Sequence, residues 1–348
     1  MIDPPDVNPP DLQKFITIVA SAYDLGAVQS IQALGGTATP KWTINTSDGR
    51  YVVRIRPDEF SDASQSTLTH QALIKLADAG LPVPRPLLQS SGETLYNHGN
   101  SVIEVLEWID GDMWIGSSPE AFRNLGVFLA KFHTTLGSDF VNTSEIKLRE
   151  DHPDALQSLM DTLLARASDE ATHEQLSLIN NLLQQGRDEL ENTLYLSLPR
   201  AAIHGDFHPG NVRFRAADIA TLYDFDYLAV QARSRDIIDA LMFFASDRLT
   251  LFEPDNIRSL TQPFTPNFTA SQVVLAGYQS ISPLTSDEWI ALPLLLRSRW
   301  IQMRLRGSRK VPAAEKLGFV LTDFFAIPNW IQKEGLNFFD QLRNESPA

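Results

Sequence analysis

One stretch of this chain restricts its fold more than any other: Ala201 to Val230, AAIHGDFHPGNVRFRAADIATLYDFDYLAV, where short apolar β-like runs interrupt a second half that otherwise reads as helix. His204, Asp206, His208, Asn211, Asp224 and Asp226 gather between Ile203 and Tyr227. Burying so many polar groups is costly unless they are paired or used. Gly205 and Gly210 permit tight backbone turns between them.

The rest of the chain divides around that island. Four prolines in the first ten residues predict an irregular arm, and Leu12, Phe15, Ile16, Val19 and Tyr23 then recur at helical spacing over Asp11 to Leu25. From Ile31 to Arg56 two β-rich runs flank Ser47-Asp48-Gly49, a hairpin signal. On the second run Val52, Arg54 and Arg56 share one face, opposite Tyr51, Val53 and Ile55. Residues 61–80 carry the stripe Leu68, Ala72, Leu73, Leu76 and Ala77 and stop at Gly80. The alternate prolines of Leu81 to Pro86 favour an extended connector. The run SVIEVLEWIDG reads as the last strand of a small sheet, and helices are expected over 118–136, 153–166, 172–194, 234–247, 270–280, 286–306 and 327–344. A β-rich front and a helical back predict an α+β fold of two lobes, 1–108 and 109–348, with residues 203–227 as a loop island in the second.

Composition excludes several function classes. The formal net charge is −14 with His neutral, which disfavours attraction to nucleic acid or an anionic membrane surface. There is no cysteine, so disulfide scaffolds, zinc–thiolate sites and cysteine nucleophiles are ruled out. No apolar run reaches the roughly 18 residues of a membrane-spanning helix, and MIDPPDVNPPD lacks the pattern of a secretory signal. The expectation is a cytoplasmic protein, with its oligomeric state not set by the sequence.

The spacing within the island fits phosphoryl transfer. A kinase catalytic loop runs H-x-D with an Asn five residues after the Asp, as His204, Asp206 and Asn211 do, and a metal-binding acid follows at a strand end, where LYDFD places Asp224. Asp206 would orient or deprotonate an attacking hydroxyl, while Asn211 and Asp224 supply the hard oxygen donors that Mg²⁺ prefers. His204 reads as a loop support. Two alternatives remain open on the residues alone, a polar turn held by local hydrogen bonds and a zinc site from His204, His208 and Asp206.

HGDFHPGN and YDFDY resemble the loops of the aminoglycoside phosphotransferase and choline kinase superfamily, and the resemblance extends to LADAGLPVPRPL, SVIEVLEWIDGD, LGVFLAKFH and RSRDIIDALMFF. Within it the chain looks nearest to type II homoserine kinases and bacterial stress-response kinases, the former through LPLLLRSRWIQMRLRG. The resemblance implies a protein-kinase-like fold whose first lobe binds ATP, with Mg²⁺ as the second cofactor. It implies Asp206 as catalytic and Asn211 and Asp224 as metal ligands. Backbone groups of Glu107, Trp108 and Ile109 would meet the adenine, Asp236 would support the loop, and Asp226 would accompany Asp224. Gly35 and Gly36 become candidates for the phosphate loop, although LGGTAT lacks the G-x-G-x-x-G spacing. Two departures stand out. The strand lysine that meets the phosphates is replaced by arginine, taken as Arg54, and Thr69 and His70 occupy the helix position of the partner glutamate.

The expected activity is transfer of the ATP γ-phosphate to a hydroxyl of a small metabolite. An acidic chain suits a cationic acceptor such as choline or an aminoglycoside. The basic run Arg297, Arg299, Arg304, Arg306, Arg309 and Lys310 would suit a carboxylate, as in homoserine, if part of it faces the cleft, but a solvated helix face is the expectation for that run. A protein Ser/Thr kinase, a weakly catalytic pseudokinase-like binding module and a metal-dependent hydrolase are the competing functions.

Overall fold

The computed structural model describes residues 11–34, 40–56, 61–114, 118–143, 153–191, 194–250, 252–253 and 256–345. Helix α1 (Leu12–Ala22) leads into an antiparallel sheet of β1 (Val28–Leu34), β2 (Lys41–Thr46), β3 (Arg50–Ile55), β4 (Leu95–His98) and β5 (Ser101–Glu107), in the order β1-β2-β3-β5-β4. Helix α2 (Ala63–Asp78) connects β3 to β4; Asp62 caps it by accepting from Gln65 N at 3.0 Å, and Gly80 ends it at φ +79°. The expected first-lobe elements are therefore present, apart from the irregular arm at residues 1–10, which lies outside the described residues.

Period-two alternation assigns the two faces of this sheet. Trp42, Ile44, Val53, Ile103 and Val105 pack beneath Ile16, Val19 and Ala20 of α1. On the other face Val52 and Leu106 join Ala72, Leu73 and Leu76 of α2 in a core that continues into the second lobe. Arg54, Arg56 and Glu104 lie on this inner face and are all buried, at 7%, 3% and 2% exposure. The inner face thus holds charges that must find partners locally.

The second lobe contains α3 (Pro119–Thr143), α4 (Pro153–Leu164), α5 (Glu170–Glu191) and the short α6 (Leu194–Ser197). Strands β6 (Arg200–Ile203) and β9 (Ala229–Ala232) pair around the island, inside which β7 (Val212–Arg215) and β8 (Asp218–Leu222) form a second pair. Then follow α7 (Ser234–Phe243), β10 (Ser246–Arg248), α8 (Ile257–Leu260), β11 (Phe264–Pro266), α9 (Phe268–Gln279) and α10 (Ser286–Gly307). The chain closes with α11 (Lys316–Leu321), α12 (Ala326–Trp330) and α13 (Leu336–Glu345). The single helix expected over 327–344 is two helices joined by a π turn at Ile331–Gly335. Helix α7 also ends four residues short of the expected 247, because the chain turns there into β10.

Two glycines set the spacing of α3 and α9. A Cβ on Gly126 would lie 2.0 Å from Val274 O, and one on Gly277 would lie 2.2 Å from Arg123 O. Backbone is therefore packed on backbone at this crossing, and neither side can yield as a flexible side chain would. We expect Gly126→Ala and Gly277→Ala each to destabilise the protein by about 1–3 kcal/mol, the cost of an overpacked methyl. Denaturant unfolding checks this, and midpoints equal to wild type would refute the crossing.

Candidate active site

The catalytic-loop residues are fixed from below by one carboxylate. Asp236, in the first turn of α7, is fully buried; its Oδ2 accepts from His204 N at 2.6 Å and its Oδ1 from Gly205 N at 2.8 Å. Gly205 stands at φ +80°, a conformation open to glycine and strained for most other residues. His133 of α3 reaches Asp236 Oδ2 at 3.2 Å through Nε2, while its Nδ1 lies 2.8 Å from Tyr278 OH on α9. Burial works against the Asp236 charge, yet the His133 hydrogen bond and the Gly205 N–H hold the carboxyl below its ordinary value. Asp236 therefore ties down two consecutive backbone N–H groups at the start of the loop.

His204 is likewise positioned by its partners. Its Nε2 donates to Tyr223 O at 2.9 Å, and its Nδ1 accepts from Asp206 N at 3.3 Å. Those two bonds select the neutral Nε2–H tautomer, so the imidazole joins the loop to the Tyr223-Asp224 backbone.

Asp206 projects into the cleft with its side chain 32% exposed. His208 Nε2 lies 3.3 Å from its Oδ2 and Arg299 Nη2 3.7 Å from its Oδ1, while Asn211 Nδ2 donates to Asp206 O at 2.9 Å. Burial alone would raise the Asp206 carboxyl; His208 and Arg299 overcome it and hold the group well below the usual carboxylate range. The arginine is itself held, since Arg299 Nε and Nη2 bind the buried Asp239 at 2.8 and 3.2 Å. Asp224 adopts φ +65° at the end of β8, an unusual conformation for a residue other than glycine, and its carboxylate is 29% exposed beside Arg54.

Arg54 is buried rather than solvated. Its Nη1 donates to Glu104 Oε1 at 3.2 Å and to Asp226 Oδ1 at 3.1 Å, and its Nη2 binds Asp226 Oδ2. Arg56 bridges the same two acids, at 2.6 Å to Glu104 Oε2 and 3.3 Å to Asp226 Oδ1. Burial pushes Asp226 up to about 6; Arg54 opposes that rise and Asp224 adds to it.

A cleft of about 460 Å³ joins these elements, with Leu34, Val52 and Leu106 above and Tyr223 and Met113 across from them. Trp108 and Ile109 line it; the Arg50 guanidinium sits 3.9 Å over the Trp108 ring. The expected hinge contacts change in one respect. The Tyr223 hydroxyl donates to Ile109 O at 2.8 Å and accepts from Ile109 N at 3.1 Å, so both backbone groups of Ile109 are already engaged. Glu107 is also committed, its carboxylate accepting from Arg85 N at 3.1 Å and its N–H donating to Arg85 O at 3.0 Å. Gly35 and Gly36 lie outside the described residues.

Most of the basic run does not form a solvated face: Arg297, Arg299 and Arg304 of α10 are buried, Arg299, Arg306 and Lys310 line the cleft, and only Arg309 and Lys310, in the turn past the helix end, are exposed. Trp300 is a core residue whose Nε1 donates to Phe324 O at 2.7 Å, and Trp114 packs among Phe122, Phe214 and Phe244. No group of three or more His, Asp and Glu converges as a metal centre among the described residues. That leaves the zinc arrangement of His204, His208 and Asp206 without a geometric basis.

Five-stranded sheet, connecting helix, hinge strand and a polar loop over a helical body define a two-lobed, kinase-like phosphotransferase. The chain belongs to the phosphotransferase enzyme family, whose profile matches residues 30–268. It is 26% identical over 288 residues to the homoserine kinase of Acidiphilium cryptum (strain JF-5), a match covering 81% of this chain and 82% of that one. Its fold is shared with an aminoglycoside phosphotransferase from Alicyclobacillus acidocaldarius subsp. acidocaldarius DSM 446, at TM-score 0.63, 17% identity and 94% and 95% coverage of the two chains. It is shared also with the amicoumacin kinase hAmiN in complex with AMP-PNP, Ca²⁺ and Ami, at TM-score 0.62, 14% identity and 97% and 94% coverage. The protein is thus an enzyme that transfers phosphate to a hydroxyl group of a small molecule. Among the described residues no helix is long and apolar enough to cross a membrane.

Sequence reasoning missed Glu104, His133, Tyr223, Tyr278 and Asp239. For Glu104 a signal existed: an acid at the inward position of a strand that was expected to lie in the same sheet as the run carrying Arg54. The others needed the packing of distant helices.

The depressed carboxyl of Asp236 has a consequence for stability. Its folded pKa lies below the unfolded value of roughly 4, so its contribution is complete above that pH and is lost as pH falls through the folded value. Asp236→Asn should cost about 2–4 kcal/mol at pH 7 and give a shallower loss of stability below about pH 4 than wild type. Urea titrations across that pH range test both expectations.

Proposed function

We propose that the enzyme uses MgATP to phosphorylate the hydroxyl of a small hydroxy amino acid, with a homoserine-like molecule as acceptor. The observation that carries the acceptor is the charge of the cleft. Although the chain has a formal charge of −14, the cleft is lined by Lys41, Arg54, Arg213, Arg299, Arg306 and Lys310 against two acids, Asp206 and Asp224. Such a lining attracts anions and disfavours a cationic acceptor of the choline or aminoglycoside kind. Net charge describes the whole surface, and here the cleft has the opposite sign. The relatives named homoserine kinase agree with this reading.

The nucleotide would occupy the part of the cleft under Leu34, Val52 and Leu106, with its adenine toward Trp108 and its phosphates toward Arg54. The donor set suits Mg²⁺: Asn211 and Asp224 offer hard oxygens on the same cleft wall, and Mg²⁺ is commonly held by one or two protein oxygens plus substrate phosphates. The ion, when bound, neutralises charge on the transferring phosphoryl group.

The acceptor would lie between Asp206 and the pair Arg306 and Lys310, at the end of α10 and in the turn that follows it. A carboxylate against those cations leaves the side-chain hydroxyl free to approach Asp206. Because Asp206 is held well below the usual range, it is a weak base and acts mainly by orienting the hydroxyl, accepting its proton as the new bond to phosphorus forms and the bond to the bridging oxygen of the departing ADP breaks. A loose transition state tolerates this, since the nucleophile needs alignment more than full deprotonation.

Acceptor-dependent ADP release by the purified protein tests the proposal, with homoserine, serine, threonine, choline, an aminoglycoside and a Ser/Thr-containing protein as acceptors. We expect turnover with a hydroxy amino acid and none with choline; turnover confined to a cationic acceptor or to the protein would overturn the assignment. Asp206→Asn should lower kcat by at least about 10²–10⁴-fold while MgATP still binds. Asp224→Ala should lose the Mg²⁺ dependence of nucleotide binding, measured by calorimetry with and without the ion. Arg306→Ala should raise KM for the acceptor about tenfold or more and leave KM for MgATP within threefold, the loss expected for one charge-assisted contact.

A further inference from the structure

We propose that Glu104 is the positioning residue for Arg54, so that the carboxylate that steadies the phosphate-facing cation is built into the sheet rather than carried by helix α2. The proposal rests on the reading of the cleft as a MgATP site.

Helix α2 presents Thr69 and His70 where a helix-borne acid would stand, and Thr69 Oγ1 is turned back onto Gln65 O at 2.9 Å. Glu104 sits directly opposite Arg54 in the β3–β5 ladder, and the two side chains meet at 3.2 Å with both nearly excluded from solvent. His70 Nε2 lies 2.8 Å from the other carboxylate oxygen, so the helix docks onto the acid instead of supplying it. Burial works against the Glu104 charge, and Arg56, His70 and Arg54 together hold its carboxyl well below the ordinary range.

This placement also accounts for arginine in place of lysine. Arg54 meets two acids at once, Glu104 on the sheet through Nη1 and Asp226 in the second lobe through both Nη1 and Nη2, and that two-nitrogen grip on Asp226 is one a single ammonium nitrogen cannot reproduce. The partner is set by backbone pairing, so rotation of α2 would not separate Arg54 from Glu104 as it would separate a strand cation from a helix acid. The cation is held in place whether or not nucleotide is bound.

The test compares Glu104→Gln and Glu104→Asp with wild type, reading kcat, KM for MgATP, KM for the acceptor, and calorimetric binding of Mg·AMP-PNP and of adenosine. Glu104→Gln should lower kcat/KM for MgATP about ten- to hundredfold, the range for losing a charged partner, with adenosine affinity and acceptor KM within threefold of wild type. Glu104→Asp, which keeps the charge but withdraws it by one methylene, should show a smaller loss, still above threefold. Folded Glu104→Gln with wild-type kinetics for MgATP would overturn the proposal. So would an equal loss of adenosine affinity, which would mark a structural role only. Where Glu104→Gln does not fold, Glu104→Asp decides in the same way. Wild-type protein that binds no Mg·AMP-PNP removes the underlying MgATP reading itself, an outcome distinct from a variant that fails to differ.

Discussion

The Asp236 carboxylate is the constraint on which the rest of the site depends. It accepts backbone bonds from His204 and Gly205 and meets His133, so one buried acid holds the start of the loop, α3 and, through Tyr278, α9. None of these contacts reaches a substrate. Their effect is to remove freedom: with two consecutive N–H groups tied to one carboxylate, Gly205 is fixed in its left-handed turn and Asp206 can project in one direction only. The close crossing of α3 and α9 at Gly126 and Gly277 serves the same end, since a wider spacing would draw His133 away from Tyr278. Packing far from the cleft is thereby coupled to the placement of its central carboxylate.

A second buried network joins the lobes. Arg54 and Arg56 from the sheet face Glu104 and Asp226, two cations against two anions, with His70 closing one side. Isolated charges at this depth would be strongly destabilising, and alternation of sign with several hydrogen bonds per group makes the arrangement tolerable. Because Asp226 belongs to the second lobe and the arginines to the first, the network also sets where the roof of the cleft stands relative to Asp206 and Asp224. Removing one member would leave the remaining buried charges out of balance, which makes the group act as a unit.

Much of this was legible in the sequence because it is local. HGDFHPGN fixes a turn, its donors and its acceptors within eight residues, and the alternation of Val52, Arg54 and Arg56 assigns a strand face without any knowledge of neighbours. The helices of the second lobe were recoverable from apolar periodicity for the same reason, with errors where a chain reversal or a π turn left that periodicity intact, as at Phe244 and Ile331. What the sequence concealed is whatever joins distant segments. The partner of Arg54 is 50 residues away, that of His204 N is 32, and that of Asp206 on α10 is 93. The expectation of a solvated basic face on α10 failed because charged residues normally avoid burial, and the acids that make burial possible lie on α7 and α5.

The departures from the family pattern concern groups that act through charge, and the retained residues are those whose geometry is tied to a particular atom. A cation near the phosphates can be lysine or arginine, and its partner can come from a helix or a strand, provided a positive centre stays at one place in the cleft; the electrostatic field is what a loose transition state senses. An oxygen that must align a hydroxyl has no such freedom, since an error of about 1 Å costs orders of magnitude in rate. His204, Asp206 and Asn211 accordingly share one loop, and the His204 bond to Tyr223 O ties it to the segment that carries Asp224. Arg54 and Glu104 stand opposite each other in a sheet, where backbone pairing brings the carboxylate to the guanidinium.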